Sequence, residues 1–327
     1  MRSVALLASL ITALLLVIGA APSDPAPYAA RGPVLRPVLF AEGLVSTGHD
    51  DAHVSFTPDG RTMYFLRDSP DFANWTVLIS RFDGHRWGPP SVAPFSGRWN
   101  DGDVTVTRDG KRIFFISNRP TDGGSMARPD TELWTMARTE QGWSEPRHIG
   151  ELSSPGDEWF PTVTDDGTLY FGSERAGGKG KCDLWRARWL GDRFGAPENL
   201  GEEINTAGQE IEPWISPDEH LLIFSAKGRP DSQGEYDLYA SFRCGGRWTP
   251  PRPLGAGVNS PGWEFGGRVS PDGKYLFFTS NRSTFREPAH TLDFQELTRR
   301  LGSPGNGLRD VYQIEMQALQ LVDPCPR

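Results

Sequence analysis

The chain has 327 residues, with 34 Lys and Arg against 42 Asp and Glu, a formal charge of −8 at neutral pH. That balance argues against a nucleic-acid partner and against anionic membrane surfaces, which both call for a basic face. Three cysteines, Cys182, Cys244 and Cys325, show no Cys-x-x-Cys and no zinc-type spacing, and the sequence leaves the pairing of any disulfide open.

In chain order, Arg2 precedes an apolar run from Val4 to Ile18, followed by Gly19, Ala20 and Ala21. This pattern reads as a secretory signal peptide over residues 1–21. The run is short for a membrane-spanning helix, which needs about 20 residues. A periplasmic or secreted location is therefore expected, with no stable membrane insertion after cleavage. Residues 22–33 read as a Pro/Ala-rich leader, and an orphan strand is expected around Val34 to Ala41.

One turn phrase then recurs, as in Ser-Phe-Thr-Pro-Asp-Gly at 55–60 and Val-Ser-Pro-Asp-Gly at 269–273. Its aspartates are Asp59, Asp109, Asp166, Asp218 and Asp272, at intervals of 50 to 57 residues. Proline presets φ, Asp bonds locally and Gly accepts positive φ, so each phrase is a turn. A short strand precedes each turn. A dense apolar strand follows, such as Ile113-Phe-Phe-Ile116 or Leu221-Leu-Ile-Phe224. A third strand opens on an acid, as in Asp183-Leu-Trp185 and Asp237-Leu-Tyr239, and a fourth is read from Trp87-Gly-Pro-Pro90, Trp143-Ser-Glu-Pro146, Phe194-Gly-Ala-Pro197 and Trp248-Thr-Pro-Pro251. Four strands per repeat of this length make a propeller blade. The fifth unit lacks a Trp-x-x-Pro strand, so the orphan N-terminal strand is expected to complete it. The reading is all-β: a five-bladed β-propeller over 34–316, four strands per blade, with a C-terminal tail over 317–327.

The phrases Ser-Pro-Asp-Gly, Phe-Phe-x-Ser-Asn-Arg and Asp-Leu-Tyr resemble the TolB-type, WD-like propeller repeats of bacterial exported proteins, over nearly all of 38–316. That resemblance implies the fold. Its repeat serves binding proteins, peptidase accessory domains and some lyases, so it leaves function open.

Propeller sites usually lie at one mouth of the central channel. Eight residues before each turn aspartate stand Asp51, Asp101, Glu158, Glu210 and Glu264; six before stand His53, Asp103, Phe160, Glu212 and Gly266. Equal offsets predict equal placement, so the five acids are expected to converge at one mouth, with His53, Asp103 and Glu212 pointing the same way. Two readings compete. Each blade also carries a base after its second strand, Arg67, Arg119, Arg175, Lys227 or Arg229, and Arg282, so acid and base are expected to bridge neighbouring blades bidentately. The residues that break the five-fold pattern, His49, Asp50, His53, Asp103, Asp157 and Glu212, are the sharper ligand-site candidates. Carboxylates grouped near histidines can hold a divalent cation such as Ca²⁺, or divide acid and base roles. Trp99, Trp159, Trp214 and Trp263 stand beside these acids, as in a sugar or peptide site. Between Arg282 and Asp310 a helix is expected over 291–301, with Thr291 as N-cap and Gly302 as stop. With no nucleophile elbow, phosphate loop or dinucleotide fingerprint, the sequence favours a non-catalytic protein binding a protein, peptide or glycan. The alternative is a carboxylate-dependent carbohydrate-active enzyme, glycosidase or lyase.

Overall fold

A computed structural model describes residues 26–255, 257–288 and 290–326 of the chain. The expected signal peptide lies outside the described residues. The described chain forms five antiparallel sheets arranged as the blades of a five-bladed β-propeller. Their innermost strands are Asp50–Phe56, Asp101–Val106, Glu158–Val163, Gln209–Ile215 and Glu264–Val269. No helix among the described residues is long and apolar enough to cross a membrane.

Each repeat turn is closed by its own side chains. Thr57, Thr107, Thr164, Ser216 and Ser270 donate hydroxyl hydrogen bonds of 2.5–2.6 Å to Asp59, Asp109, Asp166, Asp218 and Asp272. Four turns place Gly at positive φ, but the fourth uses Glu219, at φ 61°. The departure has a reason: Glu219 accepts from the Tyr170 hydroxyl at 2.6 Å and from Arg186 at 2.8 Å, both in blade 3, and pairs with Arg243 of its own blade.

The apolar second strands supply the cores between blades. Phe65, Phe115, Phe171, Phe224 and Phe278 occupy equivalent positions and are at most 1% exposed. Burying each stabilises the fold by roughly 2–3 kcal/mol. The outer strands differ from the sequence reading. The Trp-x-x-Pro residues form the preceding hairpins, as in Trp143 opposite Arg138. The outer ladder itself comes about four residues later and is two residues long, as in Arg147–His148 against Thr135 and Trp134.

Blade 5 is completed by the N-terminal strand: Val38 and Leu39 pair with Gln313 and Tyr312. Described residues ahead of it take part in the packing. Tyr28 is 3% exposed and wedges against Phe56 of blade 1 and Tyr275 and Phe277 of blade 5. The backbone carbonyl of Val34 accepts from Glu315 N at 2.9 Å. The C-terminal tail is tied in too, by buried Leu319 and by a disulfide joining Cys325 to Cys244 of blade 4. Cys182 is free and buried.

The expected helix is present as Phe294–Leu301, stopped at Gly302, but its N-cap is Asp293 rather than Thr291. Asp293 accepts from Glu296 N while the Glu296 side chain returns to Asp293 N, a reciprocal pair that Thr291 is too far upstream to make.

Candidate functional site

Five bulges aim the channel residues. Every innermost strand slips register at the position six residues before its turn aspartate. The bulged residues, His53, Asp103, Phe160, Glu212 and Gly266, all have left-handed backbone, with φ between 48° and 62°. A bulge of this kind re-aims a side chain, and here the set meets within the channel. His53 Nδ1 lies 2.7 Å from Asp103 Oδ1, and His53 Nε2 lies 3.4 Å from Glu212 Oε1. The other oxygens accept backbone hydrogen bonds around the ring: Asp103 Oδ2 from Phe160 N at 3.0 Å, and Glu212 Oε2 from Gly266 N at 2.5 Å. Gly266 makes room for the imidazole, since a Cβ there would sit 2.5 Å from His53 Cδ2. Burial disfavours the imidazolium, but the charges of Glu212 and Asp103 outweigh it and raise the His53 pKa to about 10.

Above this cluster lies a cavity of about 420 Å³ at the mouth where chain enters the innermost strands. His53, Asp103 and Glu212 border its floor. Its wall is aromatic. Trp263 stands between Phe72 and Tyr236, with ring centroids at 6.5 and 6.4 Å, and Trp75 meets Trp159 at 5.6 Å. Arg309 also borders it, lying 4.1 Å from the Phe72 ring. Both Asp50 oxygens hold this guanidinium, at 2.6 and 2.9 Å, and Asp68 Oδ2 approaches it at 2.9 Å. Burial raises the Asp68 pKa to about 7 despite Arg309, and Asp68 Oδ1 has no hydrogen-bond partner.

The five acids of the regular ring do not line this cavity. Their side chains are fully buried inside their own blades. Asp51, Asp101, Glu158, Glu210 and Glu264 pair with Arg67, Arg119, Arg175, Arg229 and Arg282 at 2.6–3.2 Å. Each pair lies within one blade and each arginine approaches a single carboxylate oxygen, so the expected bidentate bridge between blades is not formed. The arginines instead reach the connection leading into the blade, as Arg119 does at Phe95 O and Arg175 at Leu152 O. The bulge explains the parting of ways: side-chain direction has period two only along an unbroken strand.

Of the other candidates, His49 is exposed and outside the cavity, and Asp157 caps the Thr131 N–H at 2.7 Å. Trp159 and Trp263 reach the cavity; Trp214 lines the opposite mouth, and Trp99 lines neither. Sequence reading passed over Asp68, Arg309, Tyr236, Phe72 and Trp75. A usable signal existed for some of them. Cys182, Tyr236 and Arg309 each directly precede the aspartate opening a third strand, and all three border the cavity.

The donor set does not suit calcium, which takes six to eight oxygen ligands. Each floor carboxylate is already engaged by His53 and a backbone N–H, and Asp50 and Asp68 by Arg309. His220, Asp323 and Cys325 also gather ligand-type atoms, but that sulfur is bonded to Cys244.

No protein-family profile matches the sequence, and neither does any curated protein. Solved structures overlay it distantly. A TolB candidate from Agrobacterium tumefaciens is 15% identical, with 82% of this chain and 91% of that one covered and a TM-score of 0.48. An α-L-arabinofuranosidase from Lactobacillus brevis is 14% identical, covering 84% and 92% with a TM-score of 0.47. Another from Podospora anserina, in complex with cellotriose, is 12% identical, covering 87% and 94% with a TM-score of 0.45.

Proposed function

We propose that the protein is an exported, non-catalytic binding propeller that takes a glycan or peptide segment in the aromatic-walled mouth. One observation carries this reading. The channel carboxylates are committed to His53, Arg309 or backbone N–H groups, while the rings of Trp263, Phe72, Trp75 and Trp159 wall an open cavity. A concave site with aromatic faces and a few fixed polar groups suits ligand capture. Aromatic faces pack against the apolar face of a sugar or a peptide side chain, and Lys181, Gln209 and Glu235 at the wall offer polar contacts. The test is a glycan and peptide panel read by intrinsic tryptophan fluorescence. Binding by the wild type that Trp263→Ala weakens by at least about fivefold is the expected result; a panel with no binder counts against the reading.

A carboxylate-dependent carbohydrate-active enzyme is the second reading, and Asp68 supports it. A carboxyl group with a pKa of about 7 and an unpartnered oxygen at a cavity has the properties of a general acid. Release of new reducing ends from the same glycans, lost in Asp68→Asn, would favour this reading over simple capture.

A further inference from the structure

The channel has a second cavity at the opposite mouth, among the repeat turns, with a volume of about 790 Å³. Arg268 borders its inner end and is 6% exposed. This arginine differs from the ring arginines. Among the described residues, no carboxylate lies within ion-pair distance of it. It stacks on Phe160 at 3.9 Å and donates to Thr105 Oγ1 at 2.5 Å, with Asp103 O at 3.5 Å. Its Nε–H has no acceptor. Ser55, 5% exposed and bordering the same cavity, also has a hydroxyl without a partner. Asp103 and Glu212 act on Arg268 from beyond contact, and burial still lowers its pKa to about 10.

A buried guanidinium without an ion-pair partner is costly, because desolvation is not offset by a contact charge. An anion entering from the lower mouth would offset it and complete the open donors. The rim restricts which anion fits. Asp165, Asp218 and Asp272 surround the opening, and the rim cation Arg108 is paired with Asp165 at 3.2 Å. A dianion would be repelled there, whereas hydrogen-bond donors would be welcomed. Trp214, Phe56, Val269 and Met316 add apolar wall.

We infer that the lower mouth is a second ligand site, taking a small carboxylate that carries an amino or hydroxyl donor, with the carboxylate toward Arg268 and Ser55 and the donor toward the aspartate rim.

The experiment is calorimetric and fluorescence titration of the full protein with acetate, glycine and inorganic phosphate at constant ionic strength and pH 7. Both carboxylates should bind saturably. Glycine should bind about tenfold tighter than acetate, the effect of one added charge-assisted contact, and phosphate should bind more weakly than glycine. Arg268→Gln should lose glycine binding, and Trp263→Ala, in the other cavity, should keep it. If Arg268→Gln fails to fold by circular dichroism, Ser55→Val decides, with an expected loss of about tenfold for one missing hydrogen bond. The inference is overturned if neither carboxylate gives a saturable isotherm or if glycine binds no tighter than acetate. It is equally overturned if phosphate matches glycine, or if the deciding variant keeps wild-type affinity.

Discussion

His53 Nδ1 and Asp103 Oδ1 lie 2.7 Å apart across the boundary between blades 1 and 2, and both residues hold left-handed backbone. Such backbone costs a non-glycine residue about 1–2 kcal/mol. It persists here because three of the five bulges are pinned by a neighbour: His53 N donates to Thr279 Oγ1, Phe160 N to Asp103 and Gly266 N to Glu212. The cluster therefore couples blades that lie apart in the ring, and the charge on His53 is part of the fold.

Stability should accordingly fall as pH rises. The His53 pKa is raised from 6.5 to about 10, so the stability it contributes is full below 6.5 and is lost as pH climbs through 10. Asp68 and Asp310, each raised by burial to about 7, act in the same direction from 3.8 upward, and so does Glu158, raised to about 8. Opposing them, the hydroxyls of Thr107 and Thr164 hold Asp109 and Asp166 below the ordinary carboxylate range, which favours the fold down to that range. Melting temperature is expected to be highest on the acid side and to drop between 6.5 and 10, with the free energy of unfolding falling by at most about 1.4 kcal/mol per pH unit for a single proton. His53→Gln should flatten that upper limb. A wild-type melt independent of pH across this window would contradict the assignment.

The N-terminal closure can be tested at one side chain. Tyr28 fills the junction between the first and last blades, so Tyr28→Ala should destabilise by roughly 3 kcal/mol, as large-to-small changes in a core do. Deleting residues 26–42 removes both the wedge and the strand pairing at Val38 and Leu39, and should lower the melting temperature further. Calorimetry on both variants measures the two contributions separately.

The blade count and the turn chemistry were legible because they repeat, and each repeat has a local physical cause; the closing strand was legible as the one piece the fifth repeat lacks. The channel was harder to read because its defining feature is a backbone conformation. His, Asp, Phe, Glu and Gly share no side-chain chemistry, and of the five occupants of the bulge only Gly266 advertises positive φ. The regular acids misled for the converse reason. A carboxylate repeated at one offset looks like a ring around a hole, but the bulge just beyond it turns Asp51 and its equivalents into their own blades. Arg268 was overlooked because one arginine in one blade has no repeat to set it apart.

The cysteines should respond differently to reduction. The Cys244–Cys325 bond closes a separation of 81 residues and ties the tail to blade 4, so its loss should cost about 4.5 kcal/mol by loop-closure entropy. Burial raises the Cys182 thiol well above its ordinary value. It should resist a thiol reagent in the native protein and react fully in denaturant. Two or three reactive thiols before any reductant would contradict the pairing.

The buried scaffold acids and the residues of the aromatic-walled mouth should separate under mutation. Glu264 accepts from Ser260, Ser280 and Arg282 and is fully buried, with no surface toward the cavity. Glu264→Gln leaves the Arg282 guanidinium facing a neutral partner inside blade 5. It should destabilise by about 3 kcal/mol, the lower end of the cost of breaking a buried ion pair, while a ligand found for the aromatic-walled mouth binds the folded variant as before. Trp263→Ala removes a ring that faces the cavity between Phe72 and Tyr236. It should cost at least about 1 kcal/mol of binding, because the lost face is contact area, with a much smaller change in melting. Paired melting and titration curves decide the point. If Glu264→Gln loses binding at full stability, the buried ring belongs to the site, and the division between scaffold acids and mouth residues is wrong.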